Sequence, residues 1–218
     1  MIKISASTNP CNENELENYV KMLQLVGVDY LHCDVMDGRF VENKCLSFET
    51  LKKVYDSTLL PLDVHLMVSN PIEELKKFMT LKPLYITLHY EAFQNKDEIM
   101  NAISLLKANK TLVGLSIKPT TKVDDIVEFL PHINLVLIMG VEPGKSGQKM
   151  LSNTPKKVKQ LRSIIYEHNY NVKIEVDGGI NKDNIQNITN QGCDIVVLGS
   201  ALFKEKNKTN FVREIHNM

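Results

Sequence analysis

The sequence predicts an α/β fold, a single (β/α)8 TIM barrel domain spanning residues 1–218. Three observations predict it. Eight short β-type runs recur along the chain, amphipathic helical stretches lie between them, and 218 residues suits a minimal barrel. An open doubly wound sheet is the alternative topology for the same alternation. No linker or low-complexity segment divides the chain, and the β/α alternation is its only repeat.

The first run, IKISAS (2–7), is followed by a segment at 13–27 whose apolar residues recur at helical spacing and which ends on Gly27, a C-cap. DYLHCDV (29–35) and LPLDVHLMV (60–68) come next. The helix expected at 70–79 opens with Asn70 at the N-cap and Pro71 at the first helical position. LYITLHY (84–90), TLVGLSI (111–117) and NLVLIMGV (134–141) follow, then a helical segment at 154–169 with a similar start, Thr154-Pro155. VKIEVDG (172–178) and CDIVVLGS (193–200) complete the eight, the last running into another helical stretch.

Composition narrows the function classes. Lys plus Arg and Asp plus Glu both total 26, giving zero formal net charge. Proteins that coat nucleic acid or anionic membrane need excess positive charge, so neither partner is expected. The N-terminus lacks the long apolar core of a signal peptide, and the longest apolar run, INLVLIMGV, is too short to span a bilayer. Cysteines 11, 33, 45 and 193 show no CxxC pairing and read as reduced thiols of a cytoplasmic protein.

Strands of a parallel sheet are usually apolar on both faces. Here several carry polar residues toward their C-terminal ends, the end where barrels do chemistry. His32 and Asp34 share one strand face, with Cys33 on the other; Asp63 shares a face with His65, and Glu175 with Asp177. Two imidazoles and two carboxylates suit one divalent ion: zinc, iron, manganese or cobalt. The same residues, taken singly, also fit hydrogen-bonded structural roles or ion pairs. Glycines follow the last three strands, as Gly144 and Gly147, Gly178 and Gly179, and Gly199 before Ser200. Such loops bind phosphate in barrels; tight turns are the other use of the same residues.

The stretch GVEPGKSGQ (140–148) imitates a nucleotide P-loop. A P-loop needs four residues between its first glycine and Gly-Lys, whereas Gly140 and Gly144 enclose only Val141, Glu142 and Pro143. Glu142 would put a carboxylate among phosphates, and Pro143 removes an amide. These features count against a nucleotide hydrolase or kinase.

LHCDVMDGRFVEN, LDVHLMVSNP, ITLHYEA, VEPGKSGQKML, IEVDGGI and GSALF, in this order between Ser7 and Phe203, resemble the ribulose-phosphate 3-epimerase family. The resemblance implies a barrel that inverts C3 of D-ribulose 5-phosphate to give D-xylulose 5-phosphate, a step of carbohydrate metabolism. It implies a divalent metal held by His32, Asp34, His65 and Asp177. Asp34 and Asp177 would also be the catalytic acid–base pair, working through a metal-stabilised enediolate. Ser7, His65, Met36, Met67 and Met139 would bind the substrate around the reacting carbons. Gly144, Lys145, Ser146, Gly147, Gly178, Gly179, Gly199 and Ser200 would bind its phosphate. A homo-oligomer is the family's usual assembly.

The chain departs from the family's pattern at Lys145 and Ser146, which replace an aromatic residue and a glycine, at Arg39 and Glu42, and in the first loop, STNPCNEN. A positive φ at Ser146 would cost roughly 1 kcal/mol. The loop amides can still bind phosphate, while the Lys145 side chain, which could add a charge, is expected to be solvated. Allulose 6-phosphate 3-epimerase and a non-catalytic phosphosugar-binding barrel are the alternative functions.

Overall fold

The computed structural model describes residues Met1–Met218. All eight expected strands form: β1 (Lys3–Ser7), β2 (Tyr30–Asp37), β4 (Leu62–Met67), β5 (Tyr85–His89), β6 (Leu112–Ile117), β7 (Leu135–Met139), β8 (Lys173–Asp177) and β9 (Ile195–Leu198). They pair in parallel in the order β1-β9-β8-β7-β6-β5-β4-β2, and a β1–β2 pairing closes the ring. Closure decides between the two topologies considered for the sequence: the fold is a (β/α)8 barrel. No helix is long and apolar enough to cross a membrane.

A ninth strand, β3 (Lys44–Cys45), lies outside the expected eight. It pairs antiparallel with the end of β2, Met36 opposite Cys45 and Asp37 opposite Lys44. Two residues are too few to display a period of two, so alternation cannot reveal such a strand. This hairpin carries β2 past Val35, the end of the apolar run, to Asp37.

The helices are α1 (Leu16–Val26), α2 (Phe48–Ser57), α3 (Pro71–Phe78), α4 (Lys96–Ala108), α5 (Thr154–Glu167), α6 (Ile185–Asn190), α7 (Ser200–Lys204) and α8 (Lys208–His216). In α1 the buried residues Leu16, Tyr19, Val20 and Leu23 recur at helical spacing and form the stripe packed on the barrel. Gly27 ends the helix in the left-handed region, at φ 88°, as its C-cap. Residues 13–15 form a 3-10 turn ahead of α1. Asn70 and Pro71 occupy the cap and first position of α3 as expected, whereas α5 starts one residue earlier than its Thr-Pro signal, with Asn153 at the cap. Between β6 and β7 the crossover runs as a 3-10 helix, Val123–His132, with Pro131 inside it. A proline there removes one amide from the hydrogen-bond ladder.

The main core is the layer between strands and helices, where Ile4, Cys33, Val64, Ile86, Val136 and Val196 point outward from the barrel. Cys33 thus takes the helix-facing position expected of it. Leu23 is fully buried in this layer, and truncating such a leucine to alanine costs about 2–5 kcal/mol. The alternate residues point inward. Tyr85, Leu135 and Ile195 close the N-terminal end of the barrel with an apolar plug. Above the plug the lining turns polar: Ser5, His32, Asp63, Thr87 and Glu175 are all essentially without solvent exposure. Ser7, Asp34, His65, His89 and Asp177 follow one step nearer the C-terminal mouth.

Candidate active site

Strand register builds the site. The β2–β4 pairing sets His32 beside Asp63 and Asp34 beside His65. The β7–β8 pairing sets Met139 beside Asp177, and β1–β2 sets Ser7 beside His32. Barrel closure then brings β8 across from β2. One ligand-type atom from each of His32, Asp34, His65 and Asp177 lies within 4.8 Å of every other. The four residues that the family resemblance implies as metal ligands therefore converge in one cluster.

The imidazole orientations show which atoms face this cluster. His32 Nδ1 lies 2.7 Å from Asp63 Oδ2, below it. Its Nε2 is buried, 3.2 Å from Asp34 Oδ1 and 4.0 Å from Asp177 Oδ2, yet has no hydrogen-bond partner. His65 Nε2 lies 2.9 Å from His89 Nε2, which leaves its Nδ1 toward Asp34 Oδ1, at 3.2 Å. An unpartnered buried nitrogen, a second inward nitrogen and two carboxylates are a donor set that fits a divalent ion of intermediate softness.

The electrostatics split the carboxylates. Burial pushes the Asp34 carboxyl up, but His32 and His65 outweigh it and hold Asp34 well below the usual carboxylate range. Asp177 is pushed up to about 6 by desolvation and then by the nearby Asp34 carboxylate. Below them, Glu175 is raised well above its ordinary value by burial and by Asp63. Asp63 is lowered despite its burial, because His32 and the hydroxyl of Ser5, which donates to it at 2.7 Å, favour the charged form. Burial opposes a charge on His32, and Asp63 and Asp34 reverse that, raising it well above the ordinary imidazole value. Asp63 and Glu175 lie against His32 beneath the cluster, positions to which strand alternation gave a face but no role.

The pocket above this cluster is narrow, with a cavity volume of about 70 Å³. Asp34 and Asp177 are at its floor, Met36, Met67 and Met139 form apolar wall, and Ser7, Asn9 and Pro10 come from the loop after β1. Ser7 donates to Asp34 at 3.3 Å and accepts from the Asn9 amide at 3.2 Å. The rest of the wall is the loop Val141–Gln148, Gly178, Gly179 and Ile180 after β8, Val197 of β9, and Gly199 and Ser200 at the start of α7. His32 and His65, deeper in the barrel, are not part of this wall.

Gly178 and Gly179 have φ of 110° and 71°, and a Cβ on Gly179 would meet the Met150 amide nitrogen at 2.3 Å. Only glycine meets both demands. Ser146 is different: φ is positive at Gly144 and Gly147 but not at Ser146. The strain conditionally attached to that serine is therefore not incurred. Lys145 has a side chain 65% exposed, 3.5 Å from Glu42, in keeping with the solvated position expected of it, although it also borders the pocket.

Two loops meet at Asp37. Asp37 Oδ1 accepts from the amides of Arg39 and Phe40, each at 2.8 Å, and Oδ2 accepts from the amide and hydroxyl of Ser69, each at 2.7 Å. Asp37 thereby ties the turn after β2 to the loop after β4. Beyond this turn the Asn43 side chain donates to the Gly144 carbonyl at 2.6 Å.

Eight parallel strands around a mouth with two imidazoles, two carboxylates and a glycine-lined pocket define an enzyme of the barrel class. Its particular family follows from comparison with known proteins. The sequence model of the ribulose-phosphate 3 epimerase family matches residues 3–203. A ribulose-phosphate 3-epimerase of Methanocaldococcus jannaschii is 38% identical over 215 residues, covering 99% of this chain and 90% of the relative. One of Treponema pallidum is 37% identical over 188 residues, 86% of this chain and 85% of the relative. The chain belongs to the ribulose-phosphate 3 epimerase family and is an epimerase. Solved structures share the fold at much lower identity. Phosphoribosyl anthranilate isomerase of Thermus thermophilus aligns with a TM-score of 0.69 at 13% identity, over 100% of both chains. The 3-hexulose-6-phosphate synthase of Salmonella typhimurium aligns at 0.68 and 15%, over 99% of this chain and 97% of that one.

Proposed function

We propose that this epimerase inverts C3 of D-ribulose 5-phosphate to give D-xylulose 5-phosphate, with a divalent metal ion held by His32 Nε2, Asp34, His65 Nδ1 and Asp177. One observation carries the reading. Asp34 and Asp177 come from strands separated in the barrel by β1 and β9, yet their oxygens fall in one 4.8 Å cluster with two imidazole nitrogens, below a glycine-lined pocket. The family match supports the substrate.

The C3 proton of a ketose is acidic because removing it gives an enediolate conjugated with the C2 ketone. Inversion requires a base on one face of C3 and an acid on the other. Asp34 takes the proton from one face as the ionised partner. Asp177 returns a proton to the opposite face, and the roles exchange in the reverse direction. An ion held by His32, Asp34, His65 and Asp177 would supply positive charge where negative charge develops on the substrate oxygens. Met36, Met67 and Met139 exclude water beside the reacting carbons, and Ser7 orients Asp34 and the substrate. The amides of the 144–147 loop, Gly178-Gly179 and Gly199-Ser200 hold the phosphate, as late-strand loops of barrels do.

The test is conversion of ribulose 5-phosphate to xylulose 5-phosphate by wild type, Asp34→Asn and Asp177→Asn. Each variant is expected to lose about 10²- to 10⁴-fold in kcat, the range for a general acid or base. A near-normal rate in either variant contradicts its assignment, and an inactive wild type contradicts the substrate.

A further inference from the structure

The loop after β7 that borders the pocket is held by side chains that reach its carbonyls. Asn43 Nδ2 donates to the Gly144 carbonyl at 2.6 Å, across 101 positions of sequence. Gln148 Nε2 donates to the carbonyls of Glu142 and Lys145 at 2.7 and 2.9 Å. Val41, on the same stretch as Asn43, is buried against the loop, and a Cβ on Gly144 would meet the Val41 Cβ at 2.8 Å. That stretch is fixed at both ends. Asp37 accepts from the amides of Arg39 and Phe40, and Lys44 and Cys45 pair with β2. Asn43 is not part of the pocket wall, whereas Lys145 and Ser146 are. Asn43 therefore grips the loop from outside the pocket.

Peptide geometry carries the consequence inward. In a planar trans peptide the C=O of one residue and the N–H of the next point in opposite directions. A Gly144 carbonyl drawn out to Asn43 turns the Lys145 amide the opposite way, back toward the pocket. A Lys145 carbonyl held by Gln148 fixes the Ser146 amide in the same manner. Neither amide donates to a carbonyl or side chain of the protein. They lie between Gly144 and Gly147, whose φ values are 106° and 76°. Successive free amides in such a turn form a concavity that takes up an anion.

We infer that Asn43 and Gln148 are positioning residues for the phosphate loop: by holding its carbonyls they present the Lys145 and Ser146 amides to the substrate's phosphate. This rests on the phosphate site proposed above. Neither side chain acts on the reacting carbons. Their effect is preorganisation, which spares the cost of ordering the loop on binding.

Asn43→Leu and Gln148→Met test the inference, because each roughly keeps the size of the side chain and removes the donor. Asn43 is exposed, so its substitution leaves the core intact. Inorganic phosphate is titrated into ¹⁵N-labelled protein while the Lys145 and Ser146 amide resonances are followed. KM and kcat for ribulose 5-phosphate are measured on the same proteins.

In wild type both amides are expected to shift with phosphate. In each variant the Kd for inorganic phosphate and the KM are expected to rise together, by about 3- to 10-fold, the worth of about one hydrogen bond. The kcat is expected to stay within about twofold, the signature of lost binding without lost chemistry. Unchanged phosphate affinity and KM in Asn43→Leu overturn the inference, and so does a fall in kcat at constant KM. Wild-type amides that ignore phosphate overturn the phosphate site and the inference with it. If Gln148→Met does not fold, Asn43→Leu decides alone. If wild type takes phosphate at these amides but leaves ribulose 5-phosphate unconverted, the substrate reading fails, while the phosphate titrations still confirm or overturn the positioning role.

Discussion

The His32 imidazole stands on the Asp63 carboxylate, Nδ1 to Oδ2 at 2.7 Å, deep in the barrel, and turns its other nitrogen up toward Asp34 and Asp177. Asp63 thus fixes the ring plane and places its hydrogen on the lower nitrogen. Adjacent register positions on β2 and β4 make this contact, so it is part of the barrel frame and not of a mobile loop.

This geometry gives a first prediction. Asp63→Asn replaces an accepting carboxylate with an amide that can donate to Nδ1 and move the ring hydrogen to the site-facing nitrogen. Divalent metal affinity, measured by calorimetry, is expected to fall about 10- to 100-fold. Unchanged affinity would show that the orientation of His32 does not depend on Asp63.

Asp37 gives a prediction about pH. Burial alone would raise its carboxyl, but the Ser69 amide and hydroxyl and the Phe40 and Arg39 amides outweigh it and hold it at about 2, below the ordinary 3.8. A carboxyl whose folded pKa is depressed stabilises the fold above its unfolded pKa, and that contribution is lost as pH falls through the folded pKa. The Tm gap between wild type and Asp37→Ala is therefore expected to be full above about pH 4 and to shrink between there and about pH 2. Thermal melts across this window check it; a gap that widens on acidification contradicts the assignment.

Lys145 gives a prediction of little effect. Its side chain is largely exposed and paired only with Glu42, itself exposed, and such surface pairs contribute little. Lys145→Ala is expected to change KM for ribulose 5-phosphate by less than about threefold, a difference worth under 1 kcal/mol. A tenfold rise in KM would make Lys145 a phosphate ligand after all.

How far the sequence reaches can be judged from particular residues. Alternation within strands put His32 with Asp34, Asp63 with His65 and Glu175 with Asp177 on common faces, and the barrel keeps those faces inward. Alternation gives the face of a residue but not its depth. Depth comes from register between strands distant in sequence, and it separates Asp34 and Asp177 at the pocket floor from Asp63 and Glu175 beneath. The Asn43–Gly144 contact joins residues 101 positions apart, so no local spacing announces it. The 3-10 helix Val123–His132 keeps the apolar spacing of a helix, and that pattern does not distinguish 3-10 from α. Ser146 shows the reverse case: a conditional penalty read from residue type vanishes because its backbone does not enter the left-handed region.

The central claim is that this chain moves the C3 proton of a ketose phosphate at the His32–Asp34–His65–Asp177 site with a divalent ion. The most direct measurement is deuterium incorporation at C3 of ribulose 5-phosphate in deuterated water, followed by NMR, for the protein as purified, after chelation and after cobalt(II) is restored. A hexulose 6-phosphate is run in parallel. The account predicts C3 deuterium with the pentulose phosphate, its loss on chelation and its return with the ion. Exchange that survives complete metal removal, or no exchange with the pentulose phosphate under any condition, would contradict it.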